Sequence, residues 1–378
     1  MRIAILTNDY PPVSQGGAGR IAELQAKWLY AHGHTVKVWR PGPGSGQTAG
    51  DVEVEFFPPR TSLPFAKLTS ASSFSRLWFH LEDLAPNLKV IDSIKAWKPD
   101  VLLTHNLTGC GWGTPGLLHQ SGLRWVHYLH DTQIFEPSGQ VLALESNTGW
   151  RRAWRSFWAG RRAKALGEPD AVISPSAWLL GEHEKFGLFT HNERLVLPNP
   201  LEISLGYCEA RLEDQTNILY VGRLSEDKGL PVLLEAWSLI QSGFEKLLIA
   251  GDGPLRQKVM DLHDPKIHYL GQLSHDEVMI KMYENHILAV PSLVMENQPT
   301  VILEGVAAGM KIVAADVGGV KELLGPYGQT VIPGRIEDLA QALLAAKEQT
   351  SEPALRQEIL EHHHVDRVMS ILVAKLKA

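Results

Sequence analysis

The sequence has little cysteine, with only Cys110 and Cys208 among 378 residues. So few cysteines exclude a disulfide framework and a cysteine-based zinc cluster, and they make a reducing cytoplasm the expected compartment. The sequence also lacks any run near the roughly 18 to 20 apolar residues that span a bilayer. Its first residues, MRIAILTNDYPP, are strand-like and lack the long apolar region of a signal peptide. These absences predict a soluble protein, bound at most to a membrane surface.

An excess of positive charge is also absent, because 36 Lys and Arg stand against 42 Asp and Glu, a formal net charge of -6 at pH 7. Nucleic-acid-binding proteins usually carry a basic excess, so nucleic acid is not an expected partner. No Asp-x-Asp motif occurs in the chain. The sequence therefore offers no obvious carboxylate cradle for a divalent metal, and we expect neither a metal nor another cofactor.

Short apolar segments of strand length alternate with amphipathic stretches of helix length, which is the pattern of parallel α/β units. The chain is also longer than one hydrophobic core usually allows. We therefore predict two doubly wound, Rossmann-like α/β domains. The first series of strand segments is IAILT (3–7), VKVW (36–39), VEVEFF (52–57), VLLTHN (101–106), WVHYLH (125–130), AVISPS (171–176) and RLVLPN (194–199). The second is NILYVGR (217–223), KLLIAGDG (246–253), IHYLG (267–271), ILAVPS (287–292), KIVAAD (311–316) and QTVIP (329–333).

A loop at about 202–216 separates the two series. We place an N-terminal domain at 1–200, a C-terminal domain at 201–355, and a C-terminal helix at 356–378 that packs back towards the first domain. Open α/β sheets bind ligands at the carboxyl ends of their strands, so we expect the site in the cleft between the domains. Polar or small residues follow the strands at Thr104-His105-Asn106, His130-Asp131, Gly222-Arg223 and Gly251-Asp252-Gly253.

Residues 291–305, PSLVMENQPTVILEG, join a strand end, a proline and two carboxylates. Proline suits the first position of a helix and glycine suits the C′ position, so Pro299 and Gly309 predict a helix over 299–308. The free amides at the start of such a helix bind anions, and the helix dipole strengthens the binding.

Two carboxylates flank this predicted anion site. Glu296 precedes the helix, whose first amides are near Thr300 and Val301, and Glu304 lies roughly 7.5 Å along the axis. A diphosphate at the helix start would thus have a carboxylate on each side, ready to accept hydrogen bonds from two sugars. The alternative is that Glu304 is an ordinary solvated helix residue.

Two cations occur in VGRLSEDKG (221–229), where Arg223 and Lys228 lie between a strand and a helix. As an isolated pair they would be interpreted as solvated side chains. Two glycine-rich turns, GDGP (251–254) and GGAGR (16–20), favour a phosphate site instead, because glycine lets backbone amides approach a phosphate closely.

In this order the motifs resemble those of the retaining glycosyltransferases of family 4, which have the two-domain GT-B fold. The resemblance extends over nearly the whole chain, and the combination is far more specific than any one motif. The motifs that carry it are GGAGR (16–20), HD (130–131), GRLSEDKG (222–229), GDGP (251–254), the pair Glu296 and Glu304, and ADVGGVKELL (315–324).

The resemblance implies that Arg223 and Lys228 neutralise the diphosphate of a nucleotide-sugar donor. It assigns the ribose to Glu304 and the donor sugar to Glu296, with His130 lining the transfer site of an acceptor-binding N-terminal domain. His130, Glu296, Arg223 and Lys228 would be the catalytic residues. The implied donor site comprises Gly16, Gly17, Asn199, Gly222, Arg223, Lys228, Gly251, Gly253, Glu296, Asn297, Gln298, Pro299, Thr300, Val301 and Glu304.

The chain departs from the family pattern in two places. Asn199 is followed by Pro200 where the family has glycine, so Asn199 either shapes the donor site or is a strand-end turn residue. Asn297-Gln298-Pro299 follows the first glutamate where the family often has glycine and an aromatic residue, which leaves the transferred sugar undefined. Asp131 is expected to orient His130 or a loop.

The implied activity is retaining, metal-independent transfer from a UDP- or GDP-linked sugar to a hydroxyl of a glycan, glycolipid or lipid-linked precursor. A GT-B sugar-nucleotide 2-epimerase and a non-catalytic nucleotide-sugar-binding subunit remain alternatives. A glycoside hydrolase is disfavoured, because its two carboxylates must flank one scissile bond. A dehydrogenase is disfavoured because G-x-G-x-x-G does not follow the first strand.

The segment GWRRAWRSFWAGRRAKAL (149–166) mixes arginines with large aromatic residues on a predicted helix. One interpretation is an amphipathic helix whose aromatic stripe enters the core and whose arginines are solvated. The other is a peripheral contact with an anionic membrane surface or a lipid-linked acceptor, at the inner face of the cytoplasmic membrane. Residues 63–81 would add apolar contacts.

Overall fold

The computed structural model describes residues 1–11, 16–42, 47–49, 52–63, 68, 71–145, 148–202, 216–349 and 352–378. The chain divides into two compact units. Unit 1 comprises Met1–Gln140, Ser146–Pro200 and Val365–Ala378, and unit 2 comprises Val141–Glu145 and Leu201–His364. Cys110 is buried in unit 1, whereas Cys208 lies outside the described residues, as does most of the loop predicted at 202–216.

Unit 1 is built on a sheet with helices between successive strands. Its strands are β1 (Arg2–Leu6), β2 (Thr35–Pro41), β3 (Gln47–Ala49), β4 (Val52–Phe57), β5 (Val101–Thr104), β6 (Arg124–Tyr128), β7 (Ala171–Ser174) and β8 (Glu193–Val196). Its helices are α1 (Gly17–Ala31), α2 (Ser73–Glu82), α3 (Leu88–Trp97), α4 (Thr114–Gln120), α5 (Gly149–Leu166) and α6 (Ala177–Glu184), with the last helix of the chain, Val365–Lys377, added from the C-terminus.

The strand order in unit 1 is β3-β4-β2-β1-β5-β6-β7-β8. Neighbouring strands are parallel except for the edge pair β3 and β4, which is antiparallel. Ile3, Ile5 and Leu6 of β1 are fully buried, as expected for an inner strand with both faces covered. Sequence analysis missed β3, because its three residues, QTA, contain no apolar run.

Unit 2 repeats the architecture with six strands in the order β11-β10-β9-β12-β13-β14, and every neighbouring pair is parallel. The strands are β9 (Asn217–Val221), β10 (Lys246–Ala250), β11 (Ile267–Gly271), β12 (Ile287–Val290), β13 (Lys311–Ala315) and β14 (Gln329–Val331). The helices are α7 (Leu230–Ile240), α8 (Arg256–Met260), α9 (His275–Glu284), α10 (Thr300–Ala307), α11 (Val320–Leu324), α12 (Ile336–Glu348) and α13 (Pro353–His363), and the helix Val365–Lys377 of unit 1 is α14. The prediction of two Rossmann-like domains is confirmed.

The C-terminal region holds two helices where sequence analysis predicted one over 356–378. His364 separates them with an extended ψ of 129°. Helix α13 belongs to unit 2, where Arg356 donates hydrogen bonds to backbone oxygens of α10. Helix α14 belongs to unit 1 and contributes Met369 and Leu372 to its core. The change of unit therefore falls at His364, because α13 and α14 bury their apolar faces in different cores.

Candidate functional site

The loop after β12 in unit 2 presents Glu296. Its carboxylate forms an ion pair with Lys228 and accepts a hydrogen bond of 2.9 Å from the Ser292 hydroxyl. Its backbone oxygen accepts a hydrogen bond of 2.8 Å from the amide of Gly319. The carboxylate is thus oriented by a charge and a hydroxyl, while the loop that follows β13 fixes its backbone.

Helix α10 begins one residue later than predicted. Pro299 is the N-cap residue, with an extended ψ of 119°, and Thr300 is the first helical residue, so the placement of Pro299 inside the helix is wrong. Proline keeps its fixed φ at either position, which is why the sequence located the helix start only to within one residue. Gly309, with φ of 70°, follows the C-cap residue Ala308 and fulfils the predicted C′ role.

Glu304 is buried within α10, with 7% of its surface exposed. Its carboxylate lies 3.7 Å from Nδ1 of His275, the first residue of α9. The alternative of a solvated helix residue is therefore wrong. A carboxylate buried one turn beyond the N-terminus of α10 is shielded from water, which strengthens any hydrogen bond that it accepts.

The two predicted cations follow β9 and are both paired with carboxylates of unit 2. Arg223 pairs with Asp227 at 2.5 Å, and Lys228 pairs with Glu296. The Arg223 side chain is 45% exposed and the Lys228 side chain 31% exposed. Ion pairs this open to solvent contribute about 0 to 1 kcal/mol, so an anionic ligand can replace the carboxylates at small cost.

The predicted glycines allow strand-end turns to meet backbone to backbone. Gly251 has φ of +136°, and a Cβ there would lie 1.9 Å from the backbone oxygen of Gly222. Gly318 has φ of +61°, and its Cβ would lie 2.0 Å from the backbone oxygen of Glu296. Any side chain at these positions would push apart the loops that carry Arg223 and Glu296. Close packing of the loops is thus a second reason for glycine here, beside the prediction that Gly251 and Gly253 let backbone amides come close to a phosphate.

A distant segment, Val141–Glu145, also lies in unit 2. It pairs with the residues directly before Glu296, through an antiparallel bridge between Leu142 and Val294 and a hydrogen bond of 2.7 Å from the Met295 amide to Val141. The loop that carries Glu296 is therefore supported on one edge by residues from the first half of the sequence. No sequence pattern predicted this contact.

In unit 1, Gly16 is the N-cap residue of α1 and Gly17 is the first residue of that helix. Gly16 has φ of -153°, an extended conformation that any residue adopts. A Cβ at Gly16 would lie 3.7 Å from a carboxylate oxygen of Asp9, which is ordinary contact. Among the described residues, neither its backbone angle nor the neighbouring atoms require glycine at this position.

His130 lies just beyond β6 and stacks on a second imidazole. Its Nε2 lies 2.8 Å from Nδ1 of His105, the residue that follows β5, and the two rings stack with centroids 5.1 Å apart. The Tyr128 ring lies 5.1 Å from the His130 ring and 5.6 Å from the His105 ring. Burial lowers the pKa of His130 to about 3 and that of His105 well below its usual range. Both imidazoles are neutral at pH 7.

The hydrogen-bond pattern assigns the tautomers of this pair. Nε2 of His105 is buried and has no hydrogen-bond partner in the part of the chain that the structure describes, and an orphaned buried N–H is rarer than an unused acceptor. The His105 proton is therefore placed on Nδ1, where it donates to Nε2 of His130. Neutral His130 then carries its own proton on Nδ1. Sequence analysis singled out the polar ends of both strands but did not foresee that His105 orients His130.

Asp131 organises the loop after His130. Its carboxylate accepts hydrogen bonds of 2.8 Å from the Gln133 amide and 2.9 Å from the Asn106 side chain. Burial raises its pKa to about 6 against these bonds. Asn199 is buried nearby in the same unit and accepts a hydrogen bond of 3.3 Å from the Tyr128 hydroxyl. The structure thus places Asp131 and Asn199 where they support the strand ends around His130.

The candidate residues therefore divide between the two units. His130, Gly16, Gly17 and Asn199 belong to unit 1. Unit 2 holds the cations, both glutamates, the glycine turns, and Asn297 and Gln298 in the loop between Glu296 and α10. Within the described residues, no three His, Cys, Asp or Glu side chains are grouped as metal ligands.

Comparison with known proteins decides the family. A family model described as Glycosyltransferase Family 4 matches residues 15–205, about half of the chain. A model described as Glycosyl transferases group 1 matches residues 215–349. The chain belongs to glycosyltransferase family 4.

Relatives of this family-4 chain include an uncharacterized glycosyltransferase of Methanocaldococcus jannaschii, 34% identical over 86% of this chain and 83% of the relative. The chain is also 29% identical to TuaC of Bacillus subtilis, named as a teichuronic acid biosynthesis glycosyltransferase, over 96% of this chain and 93% of the relative. The solved structure of Anabaena HepE with UDP and glucose is similar with a TM-score of 0.73 at 20% identity, covering 100% of this chain and 99% of that one. The fold is GT-B, and the enzyme is a glycosyltransferase of the hexosyltransferase type.

Proposed function

We propose that this family-4 enzyme transfers a sugar from a UDP- or GDP-sugar to a hydroxyl acceptor, with retention of anomeric configuration and without a metal ion. The observation that carries the proposal is the arrangement of unit 2, where Lys228 and Glu296 meet in front of helix α10 and Glu304 is buried inside it. In this proposal Lys228 binds the diphosphate of the donor, Glu304 binds its ribose and Glu296 binds its sugar.

The leaving group of such a transfer is a nucleoside diphosphate, which gains negative charge as the glycosidic bond breaks. Arg223, Lys228 and the first amides of α10 supply fixed positive charge and dipoles that stabilise this developing charge. The ion pairs of the two cations with Asp227 and Glu296 exchange for contacts with the diphosphate. Because the leaving group carries more negative charge in the transition state than in the bound donor, the same contacts lower the barrier.

Retention of configuration follows, in this proposal, from attack by the acceptor hydroxyl on the face that the leaving group vacates, within an ion-pair-like transition state, while the hydroxyl proton passes to a phosphate oxygen of the departing nucleoside diphosphate. His130 is neutral, with its proton on Nδ1, so it acts as a hydrogen-bond partner of a sugar hydroxyl and not as a cationic acid. Glu296 accepts hydrogen bonds from the donor sugar. We assign no covalent nucleophile.

Metal independence rests on the charge that the protein itself provides. The sequence contains no Asp-x-Asp motif, and Arg223 and Lys228 occupy the strand-to-helix turn after β9. In this arrangement fixed cations perform the charge neutralisation that a divalent metal provides in other phosphoryl sites.

We propose a glycan, glycolipid or lipid-linked precursor as the acceptor and the inner face of the cytoplasmic membrane as the location, with α5 as a peripheral contact. Two relatives support an acceptor of this kind, because TuaC is named for teichuronic acid and another relative, from Mycobacterium leprae, is named as a phosphatidyl-myo-inositol mannosyltransferase. The latter is 31% identical over 39% of this chain.

The two glutamates provide the test, because they are assigned to different parts of the donor. Glu304→Gln should weaken binding of the free nucleoside diphosphate, since a carboxylate forms stronger, charge-assisted hydrogen bonds with ribose hydroxyls than an amide does. Glu296→Gln should leave that binding nearly unchanged and reduce transfer. Calorimetric titration and transfer assays on both variants measure the two effects, with Glu284→Gln on α9 as the control for loss of a surface carboxylate.

The proposed donor site is contradicted if Glu304→Gln binds the diphosphate like wild type, or if Glu296→Gln transfers sugar at the wild-type rate. The donor class is identified beforehand by thermal stabilisation with UDP-, GDP- and ADP-sugars, since a ligand at about 100 times its dissociation constant adds about 2.7 kcal/mol. Release of an epimerised free sugar without an acceptor would show a 2-epimerase instead. Binding without any donor turnover would show a non-catalytic subunit.

A further inference from the structure

Helix α2 turns its apolar face to solvent. Phe74, Leu77, Trp78 and Leu81 follow the i, i+3, i+4, i+7 spacing of one helix face, and they are 74%, 37%, 52% and 36% exposed. In a monomeric globular protein this stripe normally faces the core. Contiguous apolar surface of this kind marks an interaction site.

Helix α5 carries a second exposed stripe. Trp150, Trp154 and Phe157 are spaced at i, i+4 and i+7 and are 72%, 38% and 43% exposed. Arg161 continues the stripe, with its guanidinium 5.3 Å from the centre of the Phe157 ring. Only Trp158 of the aromatic residues in α5 is buried, so the interpretation that the aromatic stripe enters the core is wrong for the other three.

The two stripes border one contact between the helices. His80 of α2 lies against α5, with its ring 5.8 Å from the Trp158 ring and its Nδ1 3.0 Å from the Arg162 guanidinium. Leu77 is one turn before His80, and the Trp154 ring is 5.7 Å from the Trp158 ring. The two stripes thus belong to helices that contact each other, and we call their exposed residues together the α2–α5 surface.

The charge of the α2–α5 surface is opposite in sign to that of the whole chain. The exposed or half-buried ionisable groups of the two helices include one carboxylate, Glu82, while the chain has a net charge of -6. Glu82 is itself engaged by the Trp78 indole and by Ser62. The basic side chains beside the α5 stripe are Arg151, whose guanidinium lies 5.3 Å from the centre of the Trp150 ring, Arg161 and Lys164.

We propose that the α2–α5 surface docks on an anionic lipid bilayer, with its aromatic side chains in the interfacial layer and its arginines on lipid phosphates. Tryptophan and phenylalanine flanked by arginines are the combination that binds this layer. The proposal extends the membrane location that we propose for the enzyme and adds α2, whose apolar stripe is the part that inserts.

A second copy of the chain is a poorer occupant for this surface. A two-fold symmetric contact places the same patch on both sides. Three basic side chains would then face the same three across an apolar interface. A bilayer that contains acidic lipids supplies the opposite charge together with the apolar layer.

The experiment uses the full chain and sedimentation with vesicles of phosphatidylcholine alone, or of phosphatidylcholine with phosphatidylglycerol. We expect binding to the acidic vesicles, weakened by salt, and little binding to the neutral ones. Arg151→Gln and Arg161→Gln should each weaken binding about fivefold, and Phe74→Ser and Trp150→Ser should weaken it further. The controls are Lys258→Gln and Leu239→Ser in unit 2, which remove an exposed cation and an exposed apolar side chain outside the surface.

Equal binding to both kinds of vesicle, binding to neither, or binding that the four surface variants retain would overturn the proposal. So would a dimer in solution that Phe74→Ser dissociates, since the surface would then belong to a protein interface. All substituted side chains are exposed or half-buried, and a melting temperature near that of wild type checks the fold of each variant. Vesicle binding requires no donor, so a chain that docks but turns over no nucleotide sugar contradicts the proposed function and leaves the docking surface standing.

Discussion

The two units treat their ionisable groups in opposite ways. Unit 1 buries neutral imidazoles, and burial lowers the pKa of His127 and His130 to about 3 and that of His183 to about 4. Unit 2 presents ion pairs that are partly open to solvent, with Arg223 and Lys228 each facing a carboxylate. One sheet architecture thus presents neutral hydrogen-bonding groups in one unit and exchangeable charges in the other.

This difference matches two kinds of ligand chemistry. A neutral imidazole can donate or accept a hydrogen bond without requiring a counter-ion, which suits the hydroxyls of a sugar. A half-exposed ion pair contributes little to stability, so its cation can turn to a diphosphate. We expect substitutions in unit 2 to weaken mainly the stabilisation of charge in the transition state. Substitutions or acid that affect unit 1 should change mainly its folding and the orientation of His130.

The largest expected effect is the loss of a cation from unit 2. Lys228→Ala or Arg223→Ala should lower turnover by on the order of 10² to 10³, the usual loss when one stabiliser of developing charge is removed. Steady-state turnover of the preferred nucleotide sugar measures it. Lys281→Ala is the matched control, because Lys281 also pairs with a carboxylate, Glu284, at 2.7 Å on unit 2. Near-normal turnover in both test variants would refute the diphosphate role.

Mild acid should destabilise unit 1 before unit 2. An imidazole whose pKa is lowered by folding stabilises the fold above about pH 6.5, and this contribution is lost as the pH falls towards the folded pKa. Burial gives Asp83 a pKa of about 7 and Asp131 a pKa of about 6. The two carboxyls have the opposite effect on stability. Because folding raises their pKa, their contribution to the free energy of unfolding falls as the pH rises from about 4. The imidazoles whose pKa burial lowers most are His80, His105, His127, His130 and His183.

Because five lowered imidazoles outnumber two raised carboxyls, unfolding of unit 1 takes up a net of about three protons near pH 5, so unit 1 should lose about 4 kcal/mol of stability for each pH unit there. Hydrogen exchange read by mass spectrometry, corrected for the intrinsic pH dependence of exchange, compares the strands of the two units. Faster opening of β9 and β10 than of β5 and β6 at pH 4.5 would contradict the expectation.

A smaller effect should follow from changing His105, the positioning residue behind His130. His105→Leu should lower kcat about fivefold with little change in KM, because one hydrogen bond of about 1 kcal/mol no longer orients the His130 ring. His105→Asn places an amide donor near the position of Nδ1 and should recover most of the loss. The ¹⁵N chemical shifts of the His130 ring report its tautomer directly. If Asn and Leu lose activity alike, the role of His105 is packing alone.

The smallest effect is expected from metal removal. Saturating EDTA should leave most of the activity, because Arg223 and Lys228 provide the positive charge for the leaving group. Activity measured before and after chelation, with manganese added back, is the comparison. Complete loss that manganese restores would show that the cations of unit 2 do not act alone.

Much of the fold could be predicted because parallel strands are buried on both faces and therefore appear as short apolar runs. The ends of α10 could be predicted because Pro299 and Gly309 have restricted or unusual backbone preferences. The contact of His105 with His130 could not, since it depends on β5 and β6 being neighbours in the sheet. The bridge between Leu142 and Val294 could not be predicted either, because no local sequence pattern identifies a partner so far along the chain.

Helix α2 shows a further limit of sequence patterns. Its apolar spacing is that of an ordinary amphipathic helix, and periodicity states which residues share a face without stating which face is buried. In the structure His80 and Phe79 face inward while Phe74 and Trp78 face solvent. The first residues of the segment predicted to add apolar contacts, 64–67 and 69–70, lie outside the described residues.

The assignment of α14 to unit 1 has a consequence for recombination between relatives. A gene cut once at the codon for Leu201 would separate Met369 and Leu372 from the core that they complete. It would also leave Val141–Glu145 in one product and their bridging partner Val294 in the other. A working chimera that exchanges the N-terminal half must therefore carry its own last helix along with it, and must keep residues 141–145 from the parent that donates the loop of Glu296.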